Sequence, residues 1–320
     1  FRKVVFMKLK GLAFLLAAAL CVGMAGCSAP AQESASSGAV SASGSSSLVE
    51  EPDSSVEQPG NSNAELGEME IDPPYDFDPD AMEAKDFGDY FTAPYSDCQR
   101  TTYPILEGSD YENEVTQITG AEEGAVIYVI AGVHGDEEAA WRPGNLLKKI
   151  DIKAGTLYVL SPANPWGAEQ EPRTRYVTGE EDLNRSFPGD PSGSAAQQVA
   201  AAIMADVERV QPDFVFDLHE ARIVKSSQDF LGSSLIFTSM EGMEELFMNM
   251  VMATEMGELC SEPFKYYSPG PEGSVNRTIT EQLGVPTITV ETFRGYEMEQ
   301  RIGDQLAVVQ YVLKDYGLVE

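Results

Sequence analysis

Two histidines occur in the 320 residues, and each sits in a short motif that also holds carboxylates. His134 lies in AGVHGDEEA (residues 131–139) and His219 in FDLHEA (residues 216–221). His134 and Glu137 are three apart, directly after the apolar run Ala125–Ile130, where a strand would turn into a helix. Both can therefore point at one metal ion. Gly132 and Gly135 permit the tight backbone such a turn needs. His-x-x-Glu alone is a weak signal, because most such pairs sit on surfaces. The position of the second histidine strengthens it: His219 falls just past the end of another short apolar run, and scattered histidines would have no reason to occupy two strand ends. Two histidines and one glutamate, with an open fourth position, form the ligand set of a catalytic zinc. The expectation is one Zn2+ per chain, held by His134, Glu137 and His219.

The elements that must position these residues follow from the apolar runs. Ala125–Ile130, Thr156–Leu160, Phe214–Asp217 and Thr287–Val290 are short, β-branched and aromatic, as buried strands should be. Helical patterns cover Glu138–Ile150, Ser194–Val210, Gly242–Leu259 and Met298–Tyr316. Strands alternating with helices predict a single α/β domain, with a twisted, mostly parallel but mixed sheet and helices on both faces. In such sheets ligands bind beyond the carboxyl ends of the strands, where both motifs fall.

Three motifs in order, AGVHGDE, DLNRSFPG (residues 182–189) and DLHEA, resemble the succinylglutamate desuccinylase/aspartoacylase group of the zinc carboxypeptidase-like superfamily. The likeness spans about residues 111–311. It implies the same three metal ligands, with Asp182 as the partner of the His134 ring. It also implies Asn184 and Arg185 as a fork for a substrate carboxylate, and Glu291, in TITVETF, as the catalytic glutamate. Arg175, in PRTRYV, matches an arginine that polarises the scissile carbonyl, with Arg173 as its competitor. Each role has physical sense. A glutamate can take a proton from water and pass it to the leaving amine. An arginine can stabilise the oxyanion, and its planar fork suits a carboxylate better than lysine does. Arg175 could also be one arm of an ordinary ion pair, and Asp182 could cap a turn.

The resemblance implies a zinc metallohydrolase acting on an amide bond beside a free carboxylate, a deacylase of N-acyl amino acids. The segment YYSPGPEGSVNRTITEQLGVPTITVE (residues 266–291) is also similar to the stretch in which carboxypeptidases carry a mobile tyrosine ahead of a Gly-Ser pair. That match would make Tyr267 a substrate-closing residue, with Gly273 and Ser274 as the pair. A metallocarboxypeptidase or amidase acting on peptides or cell-wall peptides is therefore the alternative. A lipoprotein that only binds an acidic ligand is the reading from another class. The expected substrate is a small acid, either an N-acyl amino acid or a peptide C-terminus.

The N-terminal part reads differently. Six residues precede Met7, and Met7–Cys27 joins two lysines, an apolar run and small residues before a cysteine. This is the pattern of a secretory signal, too short to span a membrane. Met24-Ala25-Gly26-Cys27 resembles the lipobox of bacterial lipoproteins, in which Cys27 is acylated. The predicted order is a signal and lipobox at 1–27, a disordered acidic Ser/Ala/Gly/Pro-rich tether at 28–87, and the catalytic domain at 88–320. The net charge of −31 excludes nucleic acid and anionic headgroups as partners, so membrane contact should come through the lipid anchor alone, outside the cytoplasm. Cys98 and Cys260 are left as a pair that could form a disulfide. Met240, Met243, Met248, Met250, Met252 and Met256 read as core filler.

Overall fold

The computed structural model describes Tyr95, residues 97–222 and residues 231–320. Cys27, the predicted tether and the first residues of the predicted catalytic domain lie outside the described residues. Along the chain run β1 (Gln99–Ile105), β2 (Asn113–Thr119), β3 (Glu122–Ala131), α1 (Glu138–Leu147), β4 (Ala154–Leu160), α2 (Pro165–Ala168), α3 (Ala195–Val210), β5 (Phe214–Ala221), β6 (Ser234–Phe237), α4 (Glu244–Glu255), β7 (Lys265–Tyr267), α5 (Val275–Thr278), β8 (Thr287–Phe293) and α6 (Met298–Asp315). They build one eight-stranded sheet in the order β1-β2-β4-β3-β5-β8-β6-β7. The four middle strands, β4, β3, β5 and β8, are parallel to one another, whereas β2 meets β4, and β6 meets β8, antiparallel. The fold is thus the mixed α/β sheet expected from the alternating runs.

Alternation along the strands divides the core in two. On β3, Ile127, Val129 and Ala131 face α1, α4 and α6, while Tyr128 and Ile130 face α3 and α5. Because both faces are covered, the middle strands read as nearly unbroken apolar runs. Their short length in the sequence misled in one respect. The run that ends in a polar residue at Asp217 continues as strand to Ala221, since pairing with β8 persists from Val215↔Thr287 to Ala221↔Phe293. His219 and Glu291 therefore lie inside strands rather than past their ends.

The chain passes from β3 to β4 on one side and then returns to β5 on the other side of β3. This reversal opens a crevice at the carboxyl ends of β3 and β5. The turn after β3 is shaped by Gly132 at φ +73, where a Cβ would stand 2.6 Å from the Cβ of Trp141.

One expectation holds only in part. Met250 is fully buried, but Met248, Met252 and Met256 are 45%, 55% and 65% exposed. They recur every fourth residue of the helix pattern, so they share an outward face of α4, and the methionine cluster is only partly core. Cys98 and Cys260 are both free thiols. No helix among the described residues is long and apolar enough to cross a membrane.

Candidate metal centre and active site

Glu137 is the hub of the crevice. Its Oε1 lies 2.8 Å from His134 Nδ1 and its Oε2 lies 2.8 Å from His219 Nδ1, all three side chains being buried. One ligand atom from each of the three falls within 4.8 Å of the others. The turn after β3 supplies His134, the residue capping α1 supplies Glu137, and β5 supplies His219.

The opposite edge of each ring faces another carboxylate. His134 Nε2 lies 3.0 Å from Asp182 Oδ1, and His219 Nε2 lies 2.9 Å from Asp217 Oδ1, the latter too oblique for a hydrogen bond. Asp217 is itself oriented by Thr289, whose hydroxyl donates to Oδ2 at 2.8 Å. The Asp182 carboxylate behind the His134 ring favours a proton on its Nε2 and leaves its Nδ1 to ligate, and the Nδ1 atoms of both rings face Glu137. Two imidazole nitrogens and one carboxylate converging on one point fit a zinc ion in type, number and orientation.

The charges within the cluster act on one another. Burial alone would raise the carboxyl of Glu137, but the two imidazoles hold it well below the usual range. Burial likewise disfavours charge on His219, yet Asp217 and Glu137 push its imidazole well above the ordinary value. Asp182 is held low against burial by His134 and Arg175.

Around this cluster the other sequence-predicted residues fall into two groups. Arg175 is in the site: it donates from Nη1 to Glu137 at 3.3 Å and from Nη2 to Asp182 at 3.0 Å. Arg173 instead pairs with Glu138 at 2.8 Å and lies over the Trp141 ring, outside the cluster. Asp182 both contacts His134 and caps the short turn Leu183–Arg185 through the Asn184 amide. Glu291 is the register partner of His219 on the adjacent parallel strand, and both side chains point to the same face. Burial pushes its carboxyl up to about 7; Glu137 and Asp217 add to this, while His219 and Arg175 oppose it. A carboxyl that ionises near neutrality beside a ligand set is suited to proton transfer.

Asn184 is buried and engaged: its Oδ1 accepts the Val275 amide at 3.0 Å, and its Nδ2 lies 3.3 Å from His219 Nε2. The amide nitrogen keeps a second hydrogen to offer. Arg185 is exposed, with Nη1 donating to the Asn184 carbonyl at 2.6 Å. The 273–275 segment packs directly on this pair. Phe187 donates to the Gly273 carbonyl at 3.0 Å, and a Cβ on Gly273, at φ +73, would stand 2.7 Å from the Arg185 carbonyl. Tyr267 is not drawn in. It lies on β7 at the sheet edge, three strands from β5, about 14 Å at ordinary strand spacing.

Four contributors escaped the sequence reading: Asp217, Glu220, Arg301 and Gln305. Asp217 had a signal, since it stands two residues before His219 and so shares its strand face. Glu220 accepts the Ala139 amide at 2.9 Å and pairs with the fully buried Arg301.

The sequence model of the succinylglutamate desuccinylase/aspartoacylase catalytic domain matches residues 123–316. Nothing matches among curated proteins. Among solved structures, an aspartoacylase family protein from Mesorhizobium loti is similar at TM-score 0.53 and 20% identity, covering 78% of this chain and 72% of that one. An ectoine utilization protein from Ruegeria pomeroyi, in its product-bound form, is similar at TM-score 0.54 and 16% identity, covering 72% and 71%. A metallo-carboxypeptidase from Burkholderia cenocepacia is similar at TM-score 0.50 and 14% identity, covering 72% and 67%. These identities speak for the shared fold. The domain match extends over more than half of the chain and takes in every residue of the cluster, so the chain belongs to the succinylglutamate desuccinylase/aspartoacylase family.

Proposed function

We propose that this chain is a zinc-dependent hydrolase that cleaves an amide bond next to a free carboxylate, releasing an amine and a carboxylic acid. The observation that carries the reading is the placement of Glu291 beside His219, on the face where the three candidate ligands converge. When bound, zinc supplies Lewis acidity: it polarises a carbonyl and makes water a nucleophile near neutral pH. The rest falls to the chain. Arg185, with the spare hydrogen of Asn184, holds the substrate carboxylate and so sets the scissile carbonyl against the cluster. Glu291 takes a proton from the attacking water and returns it to the nitrogen as the C–N bond breaks. Arg175 swings from its carboxylate partners toward the carbonyl oxygen as negative charge collects there.

The substrate class we favour is an N-acyl amino acid. A peptide C-terminus is the second reading, supported by the packing of Gly273 and Val275, on either side of Ser274, against the Asn184–Arg185 pair. We further propose a lipid anchor on Cys27 and a location outside the cytoplasm, with residues 28–87 as tether and 88–320 as catalytic domain, on the strength of the N-terminal pattern.

The test is Glu291→Gln, assayed on a panel of N-acyl amino acids and short peptides. The substitution keeps shape and hydrogen-bonding reach but cannot accept the proton. Turnover, kcat, should fall about 10²–10⁴-fold, with KM little changed and zinc content kept. Near-normal turnover would remove Glu291 from the chemistry. A substrate-binding protein without turnover in the wild type would favour the binding-lipoprotein reading.

A further inference from the structure

Helix α6 approaches the centre from the opposite face of the sheet, and two of its residues reach through to the strands and turn that carry the ligands. Arg301 and Gln305 are one helical turn apart and fully buried, amid Met298, Ile302, Leu306 and Val309. Arg301 Nη1 donates to Glu220 Oε1. The other oxygen of Glu220 accepts the Ala139 amide at the first turn of α1, and the Glu220 amide donates to Glu137 Oε2 at 3.0 Å. The Glu137 side chain makes no capping hydrogen bond to the amides of α1, and the carboxylate that accepts a first-turn amide is that of Glu220. Gln305 Nε2 donates to the His219 carbonyl at 2.7 Å and to the Val290 carbonyl at 3.2 Å. It thus clamps the backbone of one ligand to that of the residue before Glu291.

A guanidinium at the heart of an apolar helix face is costly to bury, and a well-packed apolar pair would commonly be as stable. Its contacts lead instead to Glu137 and His219. We propose that Arg301 and Gln305 are positioning residues that set the metal affinity of the centre, Arg301 through Glu220 and Glu137, Gln305 through the main chain of His219. The inference rests on the metal-centre reading above.

The experiment measures zinc affinity, by competition with a chelator, together with the thermal stability of the metal-free protein. The variants are Arg301→Lys, Arg301→Met, Gln305→Met, Glu220→Gln and Arg301→Met with Glu220→Gln. Val309→Ala, in the same helix and equally buried, serves as a control for loss of packing. Each of the polar single variants should bind zinc about 10–100-fold more weakly than wild type. The double variant should lose little more than the worse of its two parents, since both act along one route. Val309→Ala should lose stability and keep its affinity. Should Arg301→Met fail to fold, Arg301→Lys and Gln305→Met decide the matter. Folded variants at both positions that hold zinc as wild type does would overturn the inference alone. A wild-type protein that binds no zinc would overturn the metal-centre reading, and this inference with it.

Discussion

Arg185 and Arg175 carry the same side chain and stand in opposite situations. Arg175 is tied to two carboxylates of the cluster, whereas the side-chain contact of Arg185 is to a neighbouring carbonyl, which leaves much of its fork for a ligand. Partial burial pulls the Arg185 guanidinium below its ordinary value, with Asp182 opposing, while the residue stays exposed to an incoming ligand. Arg185→Ala should therefore impair substrates with a free carboxylate next to the cleaved bond at least 10-fold more than their amidated analogues, read as kcat/KM. Arg185→Lys should not restore the loss, because an ammonium cannot make the two-pronged contact. Equal losses on acid and amide would remove the carboxylate role. At this scale the sequence was most legible where rare residue types sat in motifs, as with His134, Glu137 and His219. It was least legible for Arg301 and Gln305. A polar pair at helical spacing ordinarily marks a solvated face, and only the fold reveals that this face is the buried one.

Among elements, the long buried ones announced themselves. The expected Ser194–Val210 helix appears as α3, Ala195–Val210, because Ser194 and Gln197 form a capping box in which each side chain bonds the other residue's amide. Ser194→Ala should cost about 0.5–2 kcal/mol, measured by denaturant unfolding. An unchanged midpoint would mean that the box does not hold the helix start. Gly132→Ala should cost more than a helix cap does in its milder cases, at least about 1 kcal/mol. It combines a left-handed backbone with a collision against Trp141, and that strain falls in the turn holding His134. Zinc affinity should weaken along with stability in this variant, and a loss of stability alone would show the turn to be independent of the centre. The edge strands were not legible. β1 is largely exposed, and β6 and β7 span only Ser234–Phe237 and Lys265–Tyr267, too short to show a period. The same shortness left Tyr267 without a spatial address, and the structure places it at the sheet edge.

At the scale of the whole molecule, the sheet explains why so few residues suffice. The reversal between β4 and β5 brings together side chains from positions 134, 137, 175, 182, 219 and 291, which no local pattern connects. A net charge of −31 disfavours attraction to anionic membranes, so the proposed attachment would depend on the lipid of the lipobox. Cys27→Ser should shift the full-length chain from the membrane to the soluble fraction or stop its maturation; unchanged acylation and partition would dismiss the anchor. The most direct test of the account is metal content, measured by elemental analysis on purified wild type, His134→Ala and His219→Ala. The account predicts about one zinc per wild-type chain and almost none in either variant. Stoichiometric zinc retained in the absence of these histidines, or wild-type protein that takes up none when zinc is supplied, would contradict it.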